Sequence, residues 1–302
     1  MLKIGLIGLG TMGTRYKKAI DKSSYFKISK ILKKRRKTNE TETFINKKKF
    51  FKKSSTDAYI IASPVETHFD YIEDISKIKK PFIIEKPLVK NIYELDKIKK
   101  LLKNLNYPIL VNYTDLYNPA FEHLEKKIKL IGYYDRVKLQ FGKCTVFRKV
   151  DKSKKILPYF DWLPHPLAIV IKLFGLPNEI NVMKSELNTK KSYIYQTIHL
   201  RLSCKKKTID IYFSNDYKVP KRKIEIYGNK GYIKYDGYKK KSLLLKLKKN
   251  KIKKFSFYKT PIENLLDIFQ KAIVHKNKTN DINLSIKIMR IIFLIQQKLK
   301  LN

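Results

Sequence analysis

Lys3-Ile4-Gly5-Leu6-Ile7-Gly8-Leu9-Gly10-Thr11-Met12-Gly13 decides how this chain is read. Ile4 to Leu9 is a short apolar run with the composition of a buried strand. It breaks at a G-x-G-x-x-G turn, and a helix-like segment, Thr14 to Lys22, follows. Strand, glycine turn and helix in that order suit a pyrophosphate. Gly8 permits the tight turn, Gly10 lets the backbone approach the phosphates, and Gly13 lets helix and strand pack closely. Thr11 and Met12 complete the cofactor-facing set. The unpaired N–H groups and positive dipole end of the helix then face the anion. Glycines also mark ordinary turns, but the position between strand and helix favours a dinucleotide site.

Outward from this turn, Tyr25 to Leu32 alternates as a second strand and ends in Lys33-Lys34-Arg35-Arg36. An NAD site of this kind carries an acidic residue about 20 positions past the glycines, for the ribose 2′-hydroxyl. Here that place is basic. Lys33 and Arg35 read as a socket for a 2′-phosphate, which favours NADP over NAD; the plainer alternative is one more lysine run. Thr38 to Ser55 is polar and predicts a short or irregular helix. Ala58–Ala62 is a third strand, followed at once by Ser63-Pro64-Val65-Glu66-Thr67-His68. Ser63, Pro64 and His68 are cofactor-side candidates, because a turn after a parallel strand lies beside the crevice. Helical Phe69–Lys79 leads to strand Pro81–Ile84, which runs into Glu85-Lys86-Pro87. Amphipathic Asn91–Leu105 leads to strand Pro108–Val111. This alternation predicts a doubly wound parallel sheet, a Rossmann domain over residues 1–118.

Beyond it the pattern changes. Pro119–Ile131 reads as helix, and then come alternating strands at 134–141, 179–186, 193–203, 208–213, 223–227, 232–235 and 243–247. Short connections such as Gly228-Asn229-Lys230-Gly231 predict a large, mostly antiparallel open sheet. One helical island, Asp161 to Phe174, interrupts the strands, and helices at 261–275 and 283–299 close the chain. The stripe Ile288, Ile291, Ile292, Ile295 predicts core packing. Residues 119–302 are thus an α+β domain, whose last helices are free to return to the first domain.

Composition narrows the function. With 302 residues and 43% hydrophobic content, two ordinary domains are expected. No apolar run approaches the roughly 18 residues of a membrane span. The first apolar stretch is itself a strand rather than a leader, so a cytoplasmic protein is expected. Cys144 and Cys204 are isolated, which gives no support to a disulfide framework or metal site. The net charge of +42 is almost all lysine, with arginine only at 15, 35, 36, 136, 148, 201, 222 and 290. The lysines are dispersed and no nucleic-acid-reading motif accompanies them, so the charge predicts only salt-sensitive binding to polyanions.

Six pieces in order resemble the Gfo/Idh/MocA oxidoreductase family, which includes glucose–fructose oxidoreductase and inositol 2-dehydrogenase. They are Gly8–Gly13, Ala62-Ser63-Pro64 with His68, Glu85-Lys86-Pro87, Tyr117-Asn118-Pro119, Asp161-x-x-x-His165 leading to Leu173-Phe174-Gly175, and Ile226 to Gly231. The resemblance implies an NAD(P)-dependent dehydrogenase or reductase acting on a secondary alcohol or ketone of a sugar, cyclitol or sugar nucleotide. It also implies a homo-oligomer, with no specific nucleic acid and no membrane. By that resemblance Lys86, Asp161 and His165 are catalytic: His165 exchanges the hydroxyl proton, Lys86 polarises the oxygen, and Asp161 orients the imidazole or binds a second hydroxyl. Glu85 and Lys86 also face the cofactor, and Asn112, Tyr113 and Trp162 are candidate substrate contacts. Where the family often has Gly, Asp, Arg and Asn, this chain has Pro164, Ala168, Leu116 and Val65. The alternative on the same fold is a non-catalytic dinucleotide-binding regulator.

Overall fold

The computed structural model describes residues 1–33, 43–52, 56–102, 106–144, 157–190, 193–240, 242–248, 251–277 and 281–300. The chain forms two compact units, Met1–Asn112 with Ile262–Met289, and Tyr113–Pro261 with Arg290–Asn302.

The first unit runs β1 (Leu2–Ile7), α1 (Thr11–Asp21), β2 (Phe26–Leu32), β3 (Thr43–Phe44), α2 (Lys47–Lys52), β4 (Ala58–Ile61), α3 (His68–Lys77), β5 (Phe82–Glu85), α4 (Ile92–Leu101) and β6 (Ile109–Asn112). Its sheet has the order β3-β2-β1-β4-β5-β6, with every pairing parallel. All four residues of β4, of β5 and of β6 are buried, as in a sheet covered on both faces. The order reverses direction at β1 and β4, and ligands of such sheets bind outside the carboxyl ends of the strands there. β3 and α2 resolve the stretch predicted as irregular helix. A two-residue strand is too short to show a period, and only its pairing of Thr43 with Ile31 and Phe44 with Leu32 defines it.

The free edge of β6 is closed by Asp281. Its carboxylate accepts from Val111 N–H (3.1 Å), and its own N–H donates to Ile109 O (3.0 Å). An edge strand covered this way offers less of its backbone to other chains.

In the second unit α5 (Pro119–Lys127) precedes β7 (Arg136–Gly142), α6 (Pro158–Trp162) and α7 (Pro164–Phe174). Then come β8 (Glu179–Lys190), β9 (Tyr193–Cys204), β10 (Lys207–Ser214), β11 (Lys221–Gly228), β12 (Gly231–Asp236), β13 (Leu243–Leu247) and β14 (Lys253–Phe255). The sheet order is β14-β13-β12-β11-β7-β10-β9-β8, and only β7 and β10 run parallel. One face is apolar and buried, carrying Leu139, Leu200, Ile211, Ile224 and Ile233. The island predicted as one helix is two. Pro164 and Pro166 supply no N–H donors, so the ladder breaks at Leu163. Helix α8 (Pro261–Val274) and helix α9 (Ile282–Lys298) follow, and Ile288, Ile291, Ile292 and Ile295 are all buried. Among the described residues no helix is long and apolar enough to cross a membrane.

Candidate active site

The glycine turn behaves as its spacing requires. Gly8 has φ +91°, and a Cβ there would lie 2.6 Å from Ala62 O. A Cβ on Gly13 would lie 2.1 Å from Gly8 O, so helix and strand meet where no side chain fits. A Cβ on Gly10 would meet nothing within 4 Å. The backbone at Gly10 is therefore open to a group from outside. Gly10 is the N-cap of α1, no side chain caps this end, and the first turn, which holds Thr11 and Met12, has no acidic residue. An uncapped N-terminus over an open glycine fits a dinucleotide pyrophosphate.

The neighbouring strand ends converge on this turn. Gly8 N–H donates to Leu32 O (2.8 Å), and Ala62 N–H donates to Ile7 O (2.8 Å). Lys33 directly follows Leu32, and its N–H donates to Phe44 O (3.0 Å). Arg35, the other half of the proposed socket, lies outside the described residues. After β4, Thr67 Oγ1 donates to Ser63 Oγ (2.8 Å), and Pro64 caps a short 3-10 turn.

His68 is placed differently from a surface contact. It is 1% exposed, with Nε2 at 2.9 Å from Ser63 O and Nδ1 at 2.9 Å from Pro87 O. A neutral ring donates to only one of these carbonyls and a protonated ring to both. Burial pushes its pKa below the ordinary value, against the opposite pull of the Ser63, Pro87 and Leu88 backbone and of Glu66. Any action of His68 on a cofactor therefore runs through the two loops it ties together. One of them carries Lys86, partly exposed and directly before the cis Pro87. Glu85, at the end of β5, is 6% exposed and accepts from Tyr16 Oη (3.0 Å) and Asn112 Nδ2 (2.7 Å). Asn112 and Tyr113, expected at the substrate, are each 0% exposed. Asn112 instead fixes Glu85.

In the second unit His165 sits at the centre of a buried polar cluster. Its Nδ1 lies 3.4 Å from Asp115 Oδ2 and its Nε2 3.4 Å from Arg222 Nη2. Arg222 Nη1 donates to Asp115 Oδ2 (2.7 Å), and Tyr235 Oη donates to Asp115 Oδ1 (3.1 Å). Asp115 and His165 are 2% and 3% exposed. The guanidinium carbon lies 5.6 Å from the centroid of Trp162 and 5.9 Å from that of Tyr238. Burial works against the charge on Arg222, but Asp115, Tyr238 and Tyr235 outweigh it and raise its pKa above the ordinary value. Burial, with Asp115 second, holds the Tyr235 phenol protonated far above its ordinary range.

This arrangement fixes the tautomer. A guanidinium only donates, so a neutral ring offers its lone pair at Nε2 and carries its proton on Nδ1, which lies 3.4 Å from Asp115 Oδ2 but outside hydrogen-bond geometry.

Trp162 belongs to this cluster, its ring 6.2 Å from that of His165. Its indole N–H is buried and has no hydrogen-bond partner among the described residues. Asp161 lies in α6, one turn before His165. The carboxylate placed at the imidazole is Asp115, which motif reading missed along with Arg222 and Tyr235. A signal for Arg222 was present. In β11 it lies at period two from Ile224 and Ile226, on the face that is buried.

Residues 2–113 match the Gfo/Idh/MocA family model, described as an oxidoreductase family with an NAD-binding Rossmann fold. Over this span, a little over a third of the chain, the sequence is similar to that family. A curated relative, myo-inositol 2-dehydrogenase of Thermotoga maritima, is 24% identical over 136 residues, covering 42% of this chain and 41% of the relative. The chain thus spans about half the length, or less, of the curated relatives it matches, 56% for a second one. A solved oxidoreductase structure from Magnetospirillum magnetotacticum has TM-score 0.83 at 19% identity, covering 96% of this chain and 97% of its own. Biliverdin reductase from Synechocystis, solved with biliverdin and NADP+, has TM-score 0.78 at 11% identity, covering 98% of each chain. At such identities the structures speak for the fold alone.

Proposed function

We propose that this protein is an NAD(P)-dependent oxidoreductase that interconverts a secondary alcohol and a ketone on a sugar, cyclitol or sugar nucleotide. The observation that carries the reading is the open, uncapped glycine turn at the point where the strand order reverses. Gly8, Gly10, Thr11, Met12 and Gly13 would hold the pyrophosphate, with Ser63, Pro64 and Glu85 beside it. A bound nicotinamide supplies the hydride acceptor or donor. Lys86 polarises the carbinol oxygen, and His165 exchanges its proton at Nε2. Asp161 positions the imidazole or a second hydroxyl, and Asp115 lies 3.4 Å from Nδ1 as the nearby carboxylate. The basic character of Lys33 favours NADP, and the name of the Thermotoga relative supports a cyclitol or sugar.

The deciding experiment screens sugars and cyclitols with NADP and NAD at the nicotinamide absorbance, with Lys86→Ala and His165→Ala as controls. Turnover of one substrate, lost in both variants, is expected; equal turnover by all three proteins would overturn the assignment. A second reading, the non-catalytic regulator, draws on the burial of His165 and the contact of its Nε2 with Arg222. Tight NADPH binding with no turnover across the panel would favour it. For cofactor choice, a Lys33→Ala/Arg35→Ala double variant is expected to lose NADP affinity selectively.

A further inference from the structure

We propose that Arg222 receives an anionic group of the substrate, a carboxylate or phosphate, and that this anion releases His165 to take the carbinol proton. The inference rests on the oxidoreductase reading and names its substrate class.

The argument is one of charge. Asp115 is a single buried carboxylate to which Arg222, Tyr235 and His165 all turn. It balances one cation, and Arg222 already provides that cation at 2.7 Å. Tyr235 cannot supply a second negative charge, because its phenol stays protonated. When His165 gains a proton, Arg222, His165 and Asp115 together carry two cations and one anion in a largely buried setting. An oxyanion on Arg222 restores neutrality: two cations then face two anions. The same contact loosens the Nη2–Nε2 interaction, a long hydrogen bond of 3.4 Å. Nε2 can then accept the substrate proton: the O–H bond breaks, an N–H bond forms at Nε2, and the proton on Nδ1 stays in place, 3.4 Å from Asp115 Oδ2.

The geometry also shows how Arg222 is kept ready. Trp162 and Tyr238 lie within 6 Å of the guanidinium, and Asp115 and Tyr238 hydrogen-bond to it, so it is held by more than the imidazole. Its side chain is 15% exposed, against 2% for Asp115. The cation is therefore the more accessible member of the pair. Planar, bidentate recognition of carboxylate or phosphate is what a guanidinium does best.

The test uses the full chain with 15N-labelled histidine, and His165 is assigned by its loss in His165→Gln. Its titration is followed in chloride, in inorganic phosphate and in acetate at matched ionic strength. The two oxyanion arms separate phosphate from carboxylate selectivity. The expected result is a midpoint raised by about one pH unit, a tenfold gain in proton affinity, in at least one oxyanion and at His165 alone among the five histidines. In Arg222→Gln the midpoint should already be raised and should ignore the anions. In Asp161→Asn, which removes the nearest carboxylate in sequence, the anion response should persist. A wild-type midpoint indifferent to both oxyanions overturns the proposal. So does a response that survives in Arg222→Gln or vanishes in Asp161→Asn. Should Arg222→Gln not fold, the wild-type titration decides alone. NADPH binding, followed by its fluorescence, separates the two claims. Binding without an anion response sinks this inference and spares the oxidoreductase reading. An anion response without binding sinks that reading, and this inference with it.

Discussion

The glycine turn of the first unit is made of main chain and missing side chains, whereas the Asp115 cluster of the second is made of side chains from separate segments. In the turn, recognition depends on where a Cβ cannot be, at Gly8 and Gly13, and where one would stand in open space, at Gly10. The cluster depends on polar side chains delivered from the segment after β6 (Asp115), α7 (His165), β11 (Arg222) and β12 (Tyr235). The two kinds of site fail in different ways. Loss of one side chain strands partners in the cluster, while gain of one methyl group disturbs the turn.

The sharpest break is Asp115→Ala. It leaves the Arg222 guanidinium buried without its carboxylate, and removing one partner of a buried pair costs about 3–5 kcal/mol. Chemical denaturation should show that loss, together with a fall in turnover, if the cluster is organised around this carboxylate. A loss below about 1 kcal/mol would show that the cluster tolerates an unpaired cation.

The turn should be softer and more selective. Gly13→Ala places a methyl group against Gly8 O and should cost about 1–3 kcal/mol of stability. Gly10→Ala meets no protein atom, so stability should change by less than about 1 kcal/mol. Its dinucleotide affinity should nevertheless fall by about tenfold or more, because the methyl group stands where a phosphate would approach. Thermal melts and cofactor titrations on the two variants separate packing from binding. Equal behaviour of the pair would erase the distinction.

The smallest effect lies between the two kinds of site, at His68, a side chain that braces main chain. Burial lowers its folded-state pKa, so the folded protein binds the proton less readily than the unfolded chain. Its contribution is complete above the ordinary histidine value of about 6.5 and is lost as pH falls through the lower folded value. Stability measured from pH 7 downward should decline, and His68→Gln should make that decline shallower. An unchanged slope would mean that His68 does not titrate with unfolding.

The first unit was readable because its signals are local. The β1–glycine turn–α1 order, the basic end of β2 and the turns after β4 and β5 each lie within a few residues. Burial on both faces wrote the strands as plain apolar runs. Short pieces escaped, since two residues at Thr43–Phe44 cannot show a period. In the second unit His165 was found through its motif, but its partners were not. Asp115 and Tyr235 are 120 positions apart and Asp115 and Arg222 107. Nothing along the chain connects them.

From its sequence alone, this protein is a parallel sheet with a glycine turn suited to a dinucleotide, followed by a large antiparallel sheet, because period and glycine spacing are properties of neighbouring residues. Only the folded chain decided that His165 answers to Asp115 and Arg222, and that Asn112 serves Glu85. Those pairings depend on which strands lie side by side and which faces they bury. Hydrogen bonding and charge compensation act over a few ångströms in space, whatever the separation in sequence.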